Sequence, residues 1–213
     1  LAIINGTGLK GRVTKNDLHT YIKTQIYRDP SREQRPSTPK IDFSQWGKIK
    51  KQPLTKIKHI TGERLQLAWQ TIPHVTQFNK ADISKMDANR KVLKSETKNT
   101  DIKITFLPFI MQAAAATLKE FPEFNSSLDH TGENLVIKNY YHFGIAVDTP
   151  SGLTVPVITN VDKKSLLELS IELMDISSRA REKKLEPREL KGSSFTISSL
   201  GGIGGTYFTP IIN

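Results

Sequence analysis

Four prolines, Pro30, Pro36, Pro39 and Pro53, punctuate a polar, charged run over residues 28–53 that carries few large apolar side chains, Ile41, Phe43 and Trp46 among them. Proline fixes φ and removes a backbone donor, so neither a helix interior nor a central strand runs through such a stretch. The chain therefore divides into a small N-terminal unit over 1–27, a Pro-rich linker with an anchor segment over 28–53, and a larger domain over 54–213. The first piece is too small to bury much of itself. The last is long enough to build a real core, with 37% of the whole chain hydrophobic.

The small unit opens apolar, passes through the loop Gly6-Thr-Gly-Leu-Lys-Gly11 and Arg12, and predicts a short helix from about Thr14, with Leu18, Tyr21 and Ile22 at helical spacing. Thr14 and Asp17 form a capping box with the shorter acid. In the large domain, Leu65, Ala68, Trp69 and Ile72 share a helical face that Pro73 ends. Residues 75–83 are expected to be a strand, and the polar, basic residues 87–101 an exposed helix or loop. A helix is predicted from about Phe106 to Phe121 through Ile110, Ala113, Ala114 and Thr117. Tyr141, Phe143, Ile145 and Val147 alternate at period two, as do Leu153, Val155 and Val157 beyond a turn at Pro150 and Gly152. Ser165 and Glu168 cap a helix carrying Leu166, Leu169, Leu173, Ile176 and Ala180. Ser194–Ser199 reads as a strand in which Phe195 and Ile197 share one face, with Thr196 and Ser198 on the other.

Composition limits the chemistry. No run of about 18 apolar residues and no secretory leader pattern are present, which points to an intracellular protein without a membrane span. With no cysteine, disulfides, thiolate nucleophiles and cysteine-ligated metals are excluded. A formal charge of +10 favours polyanions, acidic partner surfaces or phosphorylated cofactors. The basic residues are spread along the chain without interleaved stacking aromatics, so nucleic acid is not the expected partner.

Gly6-x-Gly8-x-x-Gly11 imitates a dinucleotide fingerprint, but the linker stands where a second strand and its acidic residue would be required. None of His19, His59, His74, His130 and His142 pairs with another at metal-ligand spacing, so no metal is expected. In Phe195-Thr-Ile-Ser198-Ser-Leu-Gly201 and the glycines that follow, a hydroxyl ends a strand where the backbone can bend or approach a ligand closely. Taken alone, the pattern fits a plain strand serine better than a functional one.

Several segments together resemble one family, the dihydrolipoyl acyltransferases of 2-oxo acid dehydrogenase complexes, over nearly the whole chain. They are Gly6–Leu18, Asp42-Phe-Ser-Gln-Trp-Gly47, Ile72-Pro-His-Val-Thr76, Phe124-Asn-Ser-Ser127, Val147–Val157 and Phe195–Gly201. The resemblance implies an α/β catalytic domain of chloramphenicol acetyltransferase-like fold over 54–213, incomplete at its C-terminus. A partial, small all-α peripheral subunit-binding module over 1–27 would precede it. It also implies a homotrimer assembling into a larger core, with active sites in a channel open to coenzyme A at one end and to lipoamide at the other. The lipoyl group would sit on a lipoyl domain absent from this chain, and pyruvate dehydrogenase and dihydrolipoyl dehydrogenase subunits would be the docking partners. Ser198 would hydrogen-bond the oxyanion of the tetrahedral intermediate. Arg90 would either meet a coenzyme A phosphate or lie on a solvated face. Ile72-Pro-His-Val-Thr76 is more like pyruvate-complex members than succinyl-transferring ones, so acetyl is the expected acyl group and the bacterial cytoplasm the expected location (the mitochondrial matrix in a eukaryote). The family's general base is a histidine in His-x-x-x-Asp-Gly, and no histidine here has Asp-Gly at that offset. The expectation is accordingly a fragment largely inactive alone, with a scaffold that recruits dehydrogenases as the alternative.

Overall fold

The computed structural model describes residues 4, 6–26, 39–201 and 204–212. The apolar opening at Leu1–Ile3, the first part of the linker and Gly202 lie outside them. The chain separates into two compact units, Leu1–Gln52 and Pro53–Asn213.

In the first unit a 3₁₀ turn, Leu9–Gly11, leads to helix α1, Lys15–Ile26. The loop closes on itself through the Gly8 N–H, which donates to the Arg12 carbonyl at 2.9 Å. Asp17 ties loop to helix. Its carboxylate accepts from the Thr14 N–H (2.8 Å) and the Thr7 N–H (2.9 Å) and from both threonine hydroxyls, while its own N–H donates to Thr14 Oγ1 at 3.3 Å. The glycine pattern is thus spent on a self-closing loop, not on a strand-to-helix turn. Farther on, Asp42 caps the 3₁₀ turn Phe43–Trp46, whose two aromatic rings lie tilted 6.2 Å apart and exposed.

Among its described residues the second unit has four α-helices: α2 Lys56–Thr71, α3 Ser84–Glu96, α4 Leu107–Glu120 and α5 Leu166–Arg181. Thr55 caps α2, and the helix stops before Pro73. The open choice over 87–101 resolves to α3. Its start is fixed by Asp82, whose carboxylate accepts from the Ser84 N–H and hydroxyl. Helix α5 carries the reciprocal Ser165–Glu168 box and buries Leu169, Leu173, Ile176 and Ala180 at spacings of four, three and four. For α4 the element is as expected, but its buried face is Pro108, Met111, Ala115 and Leu118. Ile110 and Phe121 are exposed. This helix is apolar nearly all round, so periodicity could not choose the inward stripe. Packing against α5 did.

Seven short strands follow: β1 Ser126–Leu128, β2 Leu135–Ile137, β3 Phe143–Ile145, β4 Val147–Thr149, β5 Gly152–Thr154, β6 Val157–Ile158 and β7 Phe195–Ile197. β3 is central to a three-stranded sheet, antiparallel to β6 and parallel to β7, while β1–β2 and β4–β5 are antiparallel hairpins. The single strand expected from Tyr141 to Val147 is therefore two, interrupted at Ala146, whose N–H donates to the Ile197 carbonyl at 3.0 Å. All three residues of β3 are buried. Phe143, Ile145 and Ile158 meet Met111 and Leu118 of α4 and the inward row of α5 in one core. The strand expected at 75–83 does not form. No described segment pairs with it, and Val75 and Phe78 are exposed. An apolar alternation without a ladder partner leaves its amides unpaired and makes no strand.

Candidate active site

Strand β7 delivers Ser198 to the surface of the sheet. Parallel pairing sets Gly144 opposite Thr196 and Ile145 opposite Ile197. The start of the strand is held where the Ser194 N–H donates to the His142 carbonyl at 2.7 Å. Phe195 lies on Phe143 with centroids 5.5 Å apart, and Ile197 packs against the core. By alternation Thr196 and Ser198 look the other way, into a cavity of about 440 Å³. Gly144 makes that arrangement possible. A Cβ there would meet Val155 Cγ1 at 2.9 Å and Thr196 Oγ1 at 3.0 Å, so any larger residue would force the side chains of Val155 and Thr196 to shift.

The far wall of this cavity belongs to α2, through Ile57, Ile60 and Arg64, and a second side belongs to residues 208–211. Among the described residues Arg64 is the one charged group on an otherwise largely apolar lining, and it makes no ion pair with any of them. A second cavity, of about 410 Å³, lies over the glycine turn, with Leu107, Ile110, Leu200, Gly204 and Gly205 on its walls. Gly204 has φ 91° and Gly205 φ 117°, values that side chains with a Cβ rarely adopt. The Gly204 N–H closes the turn onto the Leu200 carbonyl at 2.8 Å. Ser198 and Phe208 border both cavities. Ser198 is exposed, and its hydroxyl has no hydrogen-bond partner among the described residues.

The structure does not bring Arg90 to either cavity. Its guanidinium donates to Asp87 Oδ1 through Nε (2.9 Å) and Nη2 (2.6 Å), and it stacks on the Phe106 ring at 4.5 Å. Asp87 is held below the ordinary carboxylate range by Lys91 and then by Arg90. Phe106 directly precedes Leu107, a wall residue of the second cavity.

None of the histidines lines either of these two cavities. His142 Nδ1 accepts from the Asn160 N–H, His59 pairs with Glu63 on the surface, and His19 and His130 are exposed. Among the described residues no group of three or more His, Asp or Glu is placed to hold a metal ion, and no helix is long and apolar enough to cross a membrane. The sequence placed Thr196 on the face of Ser198 but missed Arg64 and the 208–211 wall. Nothing local in the sequence signals those two, whereas Gly144, an isolated glycine in a strand pattern, marks the close approach to Thr196.

The two cavities therefore share one free hydroxyl, that of Ser198. Residues 47–213 match the family described as the 2-oxoacid dehydrogenases acyltransferase catalytic domain. The dihydrolipoyllysine-residue acetyltransferase component of the pyruvate dehydrogenase complex from Cupriavidus necator is 44% identical over 99% of this chain and 40% of its own length. The same component from Pseudomonas aeruginosa is 43% identical over 100% and 40%. The chain thus spans about 40% of the length of these curated relatives. One solved structure, from an investigation of a serine, a histidine and an asparagine in the catalytic mechanism of Azotobacter vinelandii dihydrolipoamide acetyltransferase, superposes with a TM-score of 0.82 at 47% identity, covering 84% of this chain and 74% of that one. Another, the cubic core of the pyruvate dehydrogenase multienzyme complex, gives a TM-score of 0.81 at 48% identity, covering 84% and 73%.

Proposed function

The chain belongs to the acyltransferase family of the 2-oxoacid dehydrogenases, and from that premise we propose that it moves an acetyl group between dihydrolipoamide and coenzyme A. The observation that carries this reading is the unpartnered Ser198 hydroxyl shared by two cavities. The thiolate of coenzyme A attacks the carbonyl carbon of S-acetyl-dihydrolipoamide, and the new C–S bond places negative charge on the carbonyl oxygen. Ser198 donates its O–H to that oxygen. Collapse breaks the bond to the lipoyl sulfur, which takes up the proton the attacking thiol lost. No histidine lines either cavity, and the proton's acceptor is proposed to be a histidine in the family's His-x-x-x-Asp-Gly motif. The 213-residue polypeptide is accordingly expected to turn over slowly by itself. The same observation favours a second reading, a scaffold that binds partners without catalysis.

Arg90 is proposed to take a coenzyme A phosphate, with Asp87 and Phe106 fixing the plane of its fork. The catalytic unit is proposed to have the chloramphenicol acetyltransferase-like fold and to act as a homotrimer within a larger core in the bacterial cytoplasm. Support comes from the relatives, which are components of the pyruvate dehydrogenase complex, and from the likeness to a cubic core. The N-terminal unit is proposed to be part of a peripheral subunit-binding module. Lys10, Arg12 and Lys15 around the Asp17-closed loop would dock acidic surfaces of pyruvate dehydrogenase or dihydrolipoyl dehydrogenase subunits. The lipoyl group would arrive on a lipoyl domain.

Calorimetric titration of the chain with coenzyme A and with dihydrolipoamide separates the acyltransferase from the scaffold. The acyltransferase reading predicts that both bind and that each still binds when the other is saturating. Failure of both to bind would leave the scaffold.

A further inference from the structure

Residues 208–211 form one wall of the first cavity and have no regular secondary structure. This strap is fastened at both ends to the stretch that follows α2. At one end the Tyr207 ring stands edge-on to Phe78, 5.2 Å between centroids. At the other, the Ile212 N–H donates to His74 Nε2 at 3.0 Å. A ring nitrogen that accepts a hydrogen bond carries no proton, so His74 is the neutral tautomer with its hydrogen on Nδ1. The second contact agrees: Nδ1 lies 2.6 Å from the Ile72 carbonyl oxygen, which can only accept. Trp69, 4.9 Å away, packs against the ring from α2.

We propose that His74 is a positioning residue, whose unprotonated Nε2 pins the strap and so sets the shape of the cavity in front of Ser198. Its role in acyl transfer rests on the functional reading of that cavity; the fastening itself does not. Phe208 of the strap borders both cavities beside Ser198, so a displaced strap alters both binding spaces at once. The groups that face the ring are the Trp69 indole, the Ile72 carbonyl and the Ile212 amide. No carboxylate or amine bonds to it among the described residues, and Arg64 is the charged side chain on the same cavity wall.

Amide hydrogen exchange on the 213-residue chain tests this, with His74→Leu removing the acceptor while keeping bulk against Trp69, and His74→Gln returning a side-chain acceptor. Loss of one such bond should speed exchange at residues 208–212 about five- to tenfold in the Leu variant and leave the core amides of α5 unchanged. The Gln variant should return within about threefold of the parent. ¹⁵N spectra of the imidazole should show Nδ1 protonated and Nε2 bare. Equal exchange in parent and Leu variant, or a proton on Nε2 at neutral pH, would overturn the proposal. Titration with coenzyme A is the separate arm: weaker binding to the Leu variant links the strap to the cavity. A parent that binds no coenzyme A while the exchange results hold would sink the functional reading alone.

Discussion

Asp17 shows what one side chain does where there is little core to lean on. Four threonine donors converge on its carboxylate, and the two backbone N–H bonds, from Thr14 and then Thr7, lead in holding its pKa far below the ordinary carboxylate range. The Thr14–Asp17 half of this network was readable as a cap. Thr7 was not, because a partner ten residues away leaves no periodic trace. Arg90 presents the opposite case. Its basic neighbourhood suggested an exposed charge, yet its side chain is only 18% exposed, being spent on Asp87 and Phe106. If Arg90 meets a phosphate as proposed, Arg90→Ala should weaken coenzyme A binding about tenfold, the scale of one charge-assisted hydrogen bond, and leave dihydrolipoamide binding unchanged. Arg90→Lys should not restore it, since an ammonium reproduces neither the fork nor the stacking. Unchanged coenzyme A affinity in the Ala variant would remove Arg90 from the site.

At the level of elements, a lock joins α5 to the 3₁₀ turn Pro187–Leu190 that carries Leu190 to the cavity wall. Arg179 donates to Glu189 (2.8 Å) and, through Nε, to Asp175 (2.8 Å), while the Glu186 N–H donates to Glu189 as well. The Arg179 bond first, and the Glu186 N–H second, lower the Glu189 pKa to about 2. A carboxyl depressed on folding contributes stability that is present above its unfolded pKa and is lost as pH falls through its folded one. The thermal midpoint of Glu189→Gln should therefore lie below that of the parent near neutral pH, and the gap should close as pH falls from the ordinary glutamate range toward about 2. A gap independent of pH would mean that packing, not charge, holds the turn. The lock was invisible in the sequence because Arg179 and Glu189 sit on different elements. Helix α5 was fully legible, since its cap and its inward row are both local patterns. The segment 75–83 was misread because alternation reports apolar spacing, not whether a neighbouring strand exists to pair with.

For the whole catalytic unit, the same limit recurs at larger scale. α2 buries no residue, hairpin β1–β2 exposes Leu128, Leu135, Val136 and Ile137, and Val75 is 86% exposed. Apolar surface of this kind suits an assembling protein, which is the physical support for the proposed homotrimer. The family was legible because its motifs are strings of adjacent residues. The cavities were not, because Arg64, Ser198 and Phe208 are joined only by the fold. The most direct test of the central claim compares the 213 residues alone with the same residues joined to a family-like segment bearing His-x-x-x-Asp-Gly. Each is assayed for acetyl transfer from acetyl-coenzyme A to dihydrolipoamide. The joined protein should exceed the chain alone by about 10²- to 10⁴-fold, the usual contribution of a positioned base. Within it, Ser198→Ala should cost about 10²- to 10³-fold in turnover with coenzyme A binding intact, the scale of one oxyanion donor. Full turnover by the chain alone, or no loss on removing the Ser198 hydroxyl, would contradict the account.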